Sequence, residues 1–150
     1  MKNAYRLKRT DIFLDKKLRF GESGTNLFVR LAKKDSGTWS RPIHETWEVS
    51  GSIGTLSSPI KHYAANSIGQ FVSKLDYYTT INAQHLYDQG VHASYFHIIC
   101  YPPGKFLVNY MIKGGILDGT HGFVHAVFMS FHSFLTRAKL CLLWEKNKRT

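Results

Sequence analysis

Apolar positions along this chain follow two regimes. Over residues 27–33 they alternate in a β-rich run, and residues 35–37, Asp-Ser-Gly, supply a turn before Trp39. Residues 47–50 and 51–54 predict a second extended stretch of hairpin-like form, and 58–63 predict a short edge strand because Pro59 lacks a ladder donor. Residues 1–20 mix bases with the anchors Ile12, Phe13, Leu14, Leu18 and Phe20, and predict a loop with a helical turn ending at Gly21 and Gly24.

From Ser67 the period lengthens. Ile68, Phe71, Val72, Leu75, Tyr78, Ala83 and Leu86 recur at roughly helical spacing, Ser67 can cap the start and Gly90 can end it. A second helix is expected over 92–100, stopping at Pro102-Pro103, and a third from there to Gly114-Gly115 with Pro103 in its first turn. The last helix is expected over about 122–146. Phe123, Val127, Phe131, Phe134, Ala138 and Cys141 line one side of it, and His125, His132, Thr136 and Lys139 fall largely on the other. Arg137 and Lys139 interrupt the apolar run, which argues against a membrane span of roughly 20 residues. Two readings of this helix stay open: an interfacial helix with a basic end, and an aromatic-rich core helix. The class expected is α+β, with a small β part over 1–66 and a helical region over 67–150.

Charge sharpens the picture. The 150 residues carry a net +10, with eleven Lys/Arg against five acids in 1–46 and seven against two in 105–150. Cations gathered at both ends suit anionic partners such as a nucleotide diphosphate and acidic lipid head groups, although a solvated basic surface has the same composition. No RNA-recognition, zinc-finger or helix-turn-helix signature accompanies the charge, so nucleic acid is not the expected partner. Cys100 and Cys141 lie in apolar runs and are expected as buried, reduced thiols. The charged start, Lys2 to Arg9, has no apolar stretch after it and does not read as a secretory signal.

The densest candidate chemistry is Arg41-Pro42-Ile43-His44-Glu45, flanked by Trp39 and Trp47 and followed by His62-Tyr63. A carboxylate can take a proton from a sugar hydroxyl, and an imidazole can hold a metal or a phosphate oxygen. The bland alternative is a polar surface pair, with Glu45 as partner of Arg41. His121 and His125 stand four apart, but no third ligand or His-Glu-x-x-His accompanies them, so a zinc site is not expected.

Several pieces, in order from Tyr5 to Trp144, resemble the C-terminal half of bacterial family 2 glycosyltransferases of the lipopolysaccharide core biosynthesis type. They include Leu27-Phe28-Val29-Arg30-Leu31, Arg41-Pro42-Ile43-His44-Glu45, Ile60-Lys61-His62-Tyr63, the helix with Phe71 to Tyr78, and Leu117-Asp118-Gly119. The resemblance implies a β remnant of a GT-A fold followed by a helical C-terminal region. It implies inverting transfer of a sugar from a nucleotide donor to a lipopolysaccharide core or related glycolipid, at the cytoplasmic face of the bacterial inner membrane, against an anionic membrane surface. Glu45 is then the candidate base. His44 orients it or touches the diphosphate, Arg41 and Lys74 are candidate diphosphate contacts, and Trp39 and Trp47 are candidate sugar platforms. His62 is a candidate late ligand to the divalent cation, Mg or Mn, of the complete enzyme. Simpler roles stand beside each: core packing for the tryptophans, a hydrogen-bonded strand-end histidine for His62, a solvated helix residue for Lys74. The donor-binding half and its Asp-x-Asp motif have no counterpart in these residues, so 1–150 alone is expected to be inactive. The competing class is a non-enzymatic membrane-surface or protein-binding module.

Overall fold

In the computed structural model, which describes residues 2–23, 26–40 and 46–148, the basic N-terminal stretch is not a loop but the central strand β1 (Ala4–Phe13). Charge had disguised it. Tyr5, Leu7, Arg9, Asp11 and Phe13 share one face, while Arg6 and Lys8 turn to the other and are exposed. β1 has partners on both sides, so backbone pairing holds a strand that its charged side chains do not advertise.

Strand β2 (Lys16–Lys17) and strand β3 (Leu27–Ala32) pair antiparallel with β1, with Ile12 opposite Lys17 and Leu7 opposite Phe28. A separate two-stranded ribbon follows, β4 (Gly37–Ser40) with β5 (Thr46–Val49), in which Trp39 faces Trp47. Strands β6 (Ile53–Thr55) and β7 (Ile60–Ala65) then run parallel to β1 in succession, with Tyr5 opposite Gly54 and Asp11 opposite His62. The expected hairpin between 47–50 and 51–54 is therefore replaced: β5 turns back to β4, and β6 crosses to β1. Among the described residues strand β7 pairs with β1 alone, the edge position that Pro59 allows.

Helix α1 (Ile68–Asp88) starts where Ser67 Oγ accepts from the Gln70 amide. It ends in a left-handed Gly90 (φ +73°), with the Val91 amide donating to Leu86 O and the Gly90 amide to Tyr87 O. Helix α2 (Tyr95–Leu107) runs straight through Pro102 and Pro103, against the expected break. A proline inside a helix costs about 3 kcal/mol in isolation. Packing on the next long helix outweighs that here. Ser130 Oγ donates to Pro102 O at 2.6 Å, the Arg137 guanidinium lies 3.9 Å from the Tyr101 ring centre, and Phe106 meets Phe123 edge-on. A π-helical turn (Val108–Ile112) and a 3-10 turn (Gly115–Asp118) lead into helix α3 (Gly119–Lys148).

The face of α3 that packs inward is the polar, small-residue one. Gly122, Ala126, Ser133, Thr136 and Leu140 are buried, while Phe123, Val127, Phe131 and Phe134 stay exposed. Small side chains let the other helices approach, and the cations find partners. Lys139 Nζ bonds Asp76 Oδ1, Thr79 Oγ1 and Thr80 Oγ1 at 2.7–2.9 Å, and Arg137 donates to Ser133. Residues Gly115–Lys148 are long and apolar enough to cross a bilayer by length and composition, with 22% of the apolar window buried. Arg137 and Lys139 lie within that stretch and tie it to α1 and α2.

Sheet and helices meet at Phe13, which is fully buried and packs edge-on to Phe71 at 5.1 Å and Phe128 at 6.4 Å. Asp118, from the Leu117-Asp118-Gly119 piece, is a second join: its Oδ2 accepts the Arg19 and Phe20 amides, each at 2.9 Å. Both cysteines are free of disulfides, and neither is buried as expected: Cys100 is exposed and Cys141 half-buried.

Candidate functional site

A cleft of 560 Å³ opens between the sheet and the helices. Its sheet wall comes from Leu7 and Arg9 on β1, Phe28 and Arg30 on β3, and Ile60, Lys61 and His62 on β7. Period-2 alternation sends Leu7 and Arg9 to this face of β1, and Phe28 and Arg30 project from the neighbouring antiparallel strand. The helix wall is Phe71, Lys74, Leu75 and Tyr78 at i, i+3, i+4 and i+7 of α1, with Met129 and His132 of α3.

The electrostatics are one-sided. Arg9, Arg30, Lys61, Lys74, His62 and His132 line the cleft, and none of the described residues lining it is a carboxylate. Asp11, an acid in contact with the lining residues Arg9 and His62, is 3% exposed and is already shared. Its Oδ2 accepts from an Arg9 terminal nitrogen at 3.0 Å. Its Oδ1 lies 2.7 Å from both Arg9 Nε and His62 Nδ1, the Arg9 contact being an ion pair without hydrogen-bond alignment. With that carboxylate as acceptor, Nδ1 of a neutral His62 carries the proton and Nε2 is left for an entering group. Phe28 backs the charge, with the Arg9 and Arg30 guanidinium carbons 4.7 and 5.4 Å from its ring centre. Lys74 Nζ donates to Ala64 O at 2.8 Å, which draws α1 toward β7. Such a chamber suits an anion with several oxygens and an apolar or sugar-like body.

Of the residues singled out by sequence, His62 and Lys74 share this cleft. Trp39 and Trp47 do not line it. They stack on each other, ring centres 5.1 Å apart and 17° between planes, and Arg30 bridges the two places with its guanidinium 5.1 Å from the Trp39 ring. Trp39 is 53% exposed, so part of one tryptophan of the pair stays open to solvent. Arg41, His44 and Glu45 lie outside the described residues. Ser40 and Thr46, which flank them, face each other across β4 and β5. Among the described residues no group of three or more His, Cys, Asp or Glu side chains could hold a metal.

Sequence reasoning missed Arg9, Asp11, Arg30, Lys61 and His132. The signal for the first two was the alternation of β1, hidden because its cleft face mixes Leu7 with charged side chains. Lys61 and His132 carry no local signal, since what makes them part of a site is the approach of β7 and α3.

Comparisons with known proteins now bear on the cleft. Over 125 residues the chain is 30% identical to an uncharacterized glycosyltransferase of Rickettsia typhi, an alignment covering 77% of this chain and 43% of the relative. It is 32% identical over 134 residues to an uncharacterized glycosyltransferase of Rickettsia felis, covering 81% and 47%. The lipopolysaccharide core biosynthesis glycosyltransferase LpsC of Rhizobium meliloti is 26% identical over 115 residues, covering 75% and 43%. The chain is thus related to glycosyltransferases and spans somewhat under half the length of these curated relatives. No family model matches, and no solved structure matches.

Proposed function

We propose that this chain forms the acceptor-side part of an inverting, GT-A-type family 2 glycosyltransferase that moves a sugar from a nucleotide donor to a lipopolysaccharide core or related glycolipid. The observation that carries this reading is the cleft: six cationic or imidazole side chains, no carboxylate among its described lining, and an aromatic floor. Positive charge placed where a phosphate develops or is held stabilises a departing diphosphate and orients a phosphorylated acceptor. Relatives that bear the name glycosyltransferase support the same chemistry.

In this reading Lys61, Lys74, Arg9 and Arg30 hold the phosphate oxygens, and the exposed Trp39 face offers a platform for a sugar. Glu45 is the base that takes the acceptor proton, with Arg41 and His44 beside it in sequence. The divalent cation belongs to the donor-binding part, and His62 lends it a single imidazole. The enzyme works as a peripheral protein at the cytoplasmic face of the inner membrane, where the exposed apolar side of α2 rests on anionic lipid.

Calorimetric titration with inorganic diphosphate and with uridine diphosphate tests the cleft. The native chain is expected to bind both, and Lys61→Ala with Lys74→Ala is expected to weaken them at least tenfold. Glu45→Gln is expected to leave this affinity within about twofold and to abolish transfer when the chain is combined with a donor-binding half, since a general base contributes about 10²–10⁴-fold. Equal diphosphate affinity in the double lysine variant would remove the cleft from the proposal.

A second reading, a membrane-surface module without catalysis, is favoured by one observation. Tyr95, Phe96, Ile99, Leu107, Met111 and Ile112 are all more than half exposed along α2 and the turn after it. Transfer activity that depends on Glu45 separates the two readings.

A further inference from the structure

The cationic cleft does not stop at Tyr78. On α1 its wall residues Phe71, Leu75 and Tyr78 are followed at the same helical spacing by Asn82 and Leu86, and on α3 Met129 and His132 are followed by Ser133, Thr136 and Leu140. Those continuations line a second hollow of 700 Å³, which α2 closes with His97, Cys100, Tyr101 and Gly104. His132 lines both. The two helices run parallel: Phe71 packs on Phe128, Thr80 bonds Lys139 and Tyr87 packs on Trp144. The hollows are therefore successive sections of one groove along the α1–α3 seam. From Phe71 to Leu86 it extends roughly 22 Å at 1.5 Å per residue.

Its chemistry changes along that length. The first section carries Arg9, Arg30, Lys61 and Lys74. The second is walled by Leu86, Val91, Ala93, Val108 and Leu140, interspersed with the neutral amide of Asn82 and the rings of His92 and His97, and of its two long cations Lys105 is paired with Glu22 and Arg137 is laid on Tyr101 and bonded to Ser133. Among the described residues neither lining contains a carboxylate. Thr136 Oγ1, on the floor of the second section, is buried and lacks a hydrogen-bond partner.

We propose that the groove is a single site for a phosphate-bearing amphiphile: the anionic head lies among Arg9, Lys61 and Lys74, and one apolar chain runs past His132 into the section closed by α2. A charged head alone needs only the first section, and a chain alone would not select a groove that begins with four cations and no carboxylate among its described lining. The proposal rests on the reading of the cleft as a phosphate site and adds the part of the glycolipid that is not sugar.

Gly104 makes the test clean. It lines the second section in a helix interior, and a Cβ built there meets nothing within 4 Å, so Gly104→Trp fills the groove without a backbone clash. Binding of methyl phosphate and of octyl phosphate, each below its aggregation threshold, is measured calorimetrically on the full chain. Octyl phosphate is expected to bind about 100-fold tighter, as three to four buried methylenes require. Gly104→Trp is expected to remove that gain and leave methyl phosphate binding unchanged. Val91→Glu, at an exposed position in the same wall, is expected to act likewise and serves if the tryptophan variant fails to fold. Octyl phosphate binding no tighter than methyl phosphate, or a gain that survives both variants, overturns the chain section. Absence of methyl phosphate binding overturns the head section, and with it the cleft reading itself.

Discussion

His125 projects from α3 between two rings, 5.4 Å from Phe13 and 6.2 Å from Phe71, at the join of sheet and helices. Burial pulls its imidazole below the usual histidine range, against the opposing charges of Glu22, Asp11 and Asp118. Because the folded protein takes up this proton less readily than the unfolded chain, the neutral form stabilises the fold fully above about pH 6.5, and that contribution is lost as pH falls below it. Urea midpoints measured from pH 8 down to pH 5.5 are expected to decline, and to decline less in His125→Gln. An identical slope in the variant would exclude His125 as the source. Glu22 acts in a lower window: burial pushes its carboxyl up, but Lys105, Lys113 and Asn109 together hold it below the ordinary value. The sequence showed His125 as one half of an i, i+4 histidine pair on the polar side of the last helix. Its desolvated setting depends on Phe13, more than a hundred residues earlier in the chain.

Helix α3 shows the limit of periodicity as a guide to burial. The apolar stripe Phe123, Val127, Phe131 and Phe134 was legible from spacing, and so was the helix itself; its orientation was not. Close approach decided that. A Cβ on Gly122 would overlap the Gly115 carbonyl oxygen and press on Asp118, so only glycine lets the 3-10 turn fold back on the start of α3. Gly122→Ala is therefore expected to destabilise the chain by the upper part of ~1–3 kcal/mol, read as a lowered urea midpoint with unchanged slope. Helix α2 makes the complementary point. Its proline pair predicts a break by local rules, and the helix persists because its contacts with α3 outweigh two missing donors. Caps transferred more faithfully: Ser67 and Gly90 bound α1 where the sequence placed them, because a cap is satisfied by its own neighbours.

At the scale of the whole molecule, the exposed apolar surface is too broad for scattered single residues. Ile99 is 68% exposed, Ile112 78% and Leu117 69%, along one run of helix and turn. Broad apolar patches mark interaction surfaces, and the proposed membrane reading pairs this one with an anionic bilayer through the net charge of +10. In flotation with anionic vesicles at low salt the chain is expected to rise with lipid, and Ile99→Asp with Ile112→Asp to cut the bound fraction about tenfold without lowering thermal stability. No binding at low salt would discard the membrane reading. The sequence by itself determined the α+β class, the long capped helix, the edge strand after Pro59 and the excess of cations, because each depends on local propensity, capping or composition. Only tertiary structure decided that the basic N-terminal stretch is the central strand, that α3 turns its small residues inward, and that Arg9, Lys61, Lys74 and His132 share one cleft. Those outcomes follow from pairing and close packing between segments distant along the chain, energies that no single window of sequence contains.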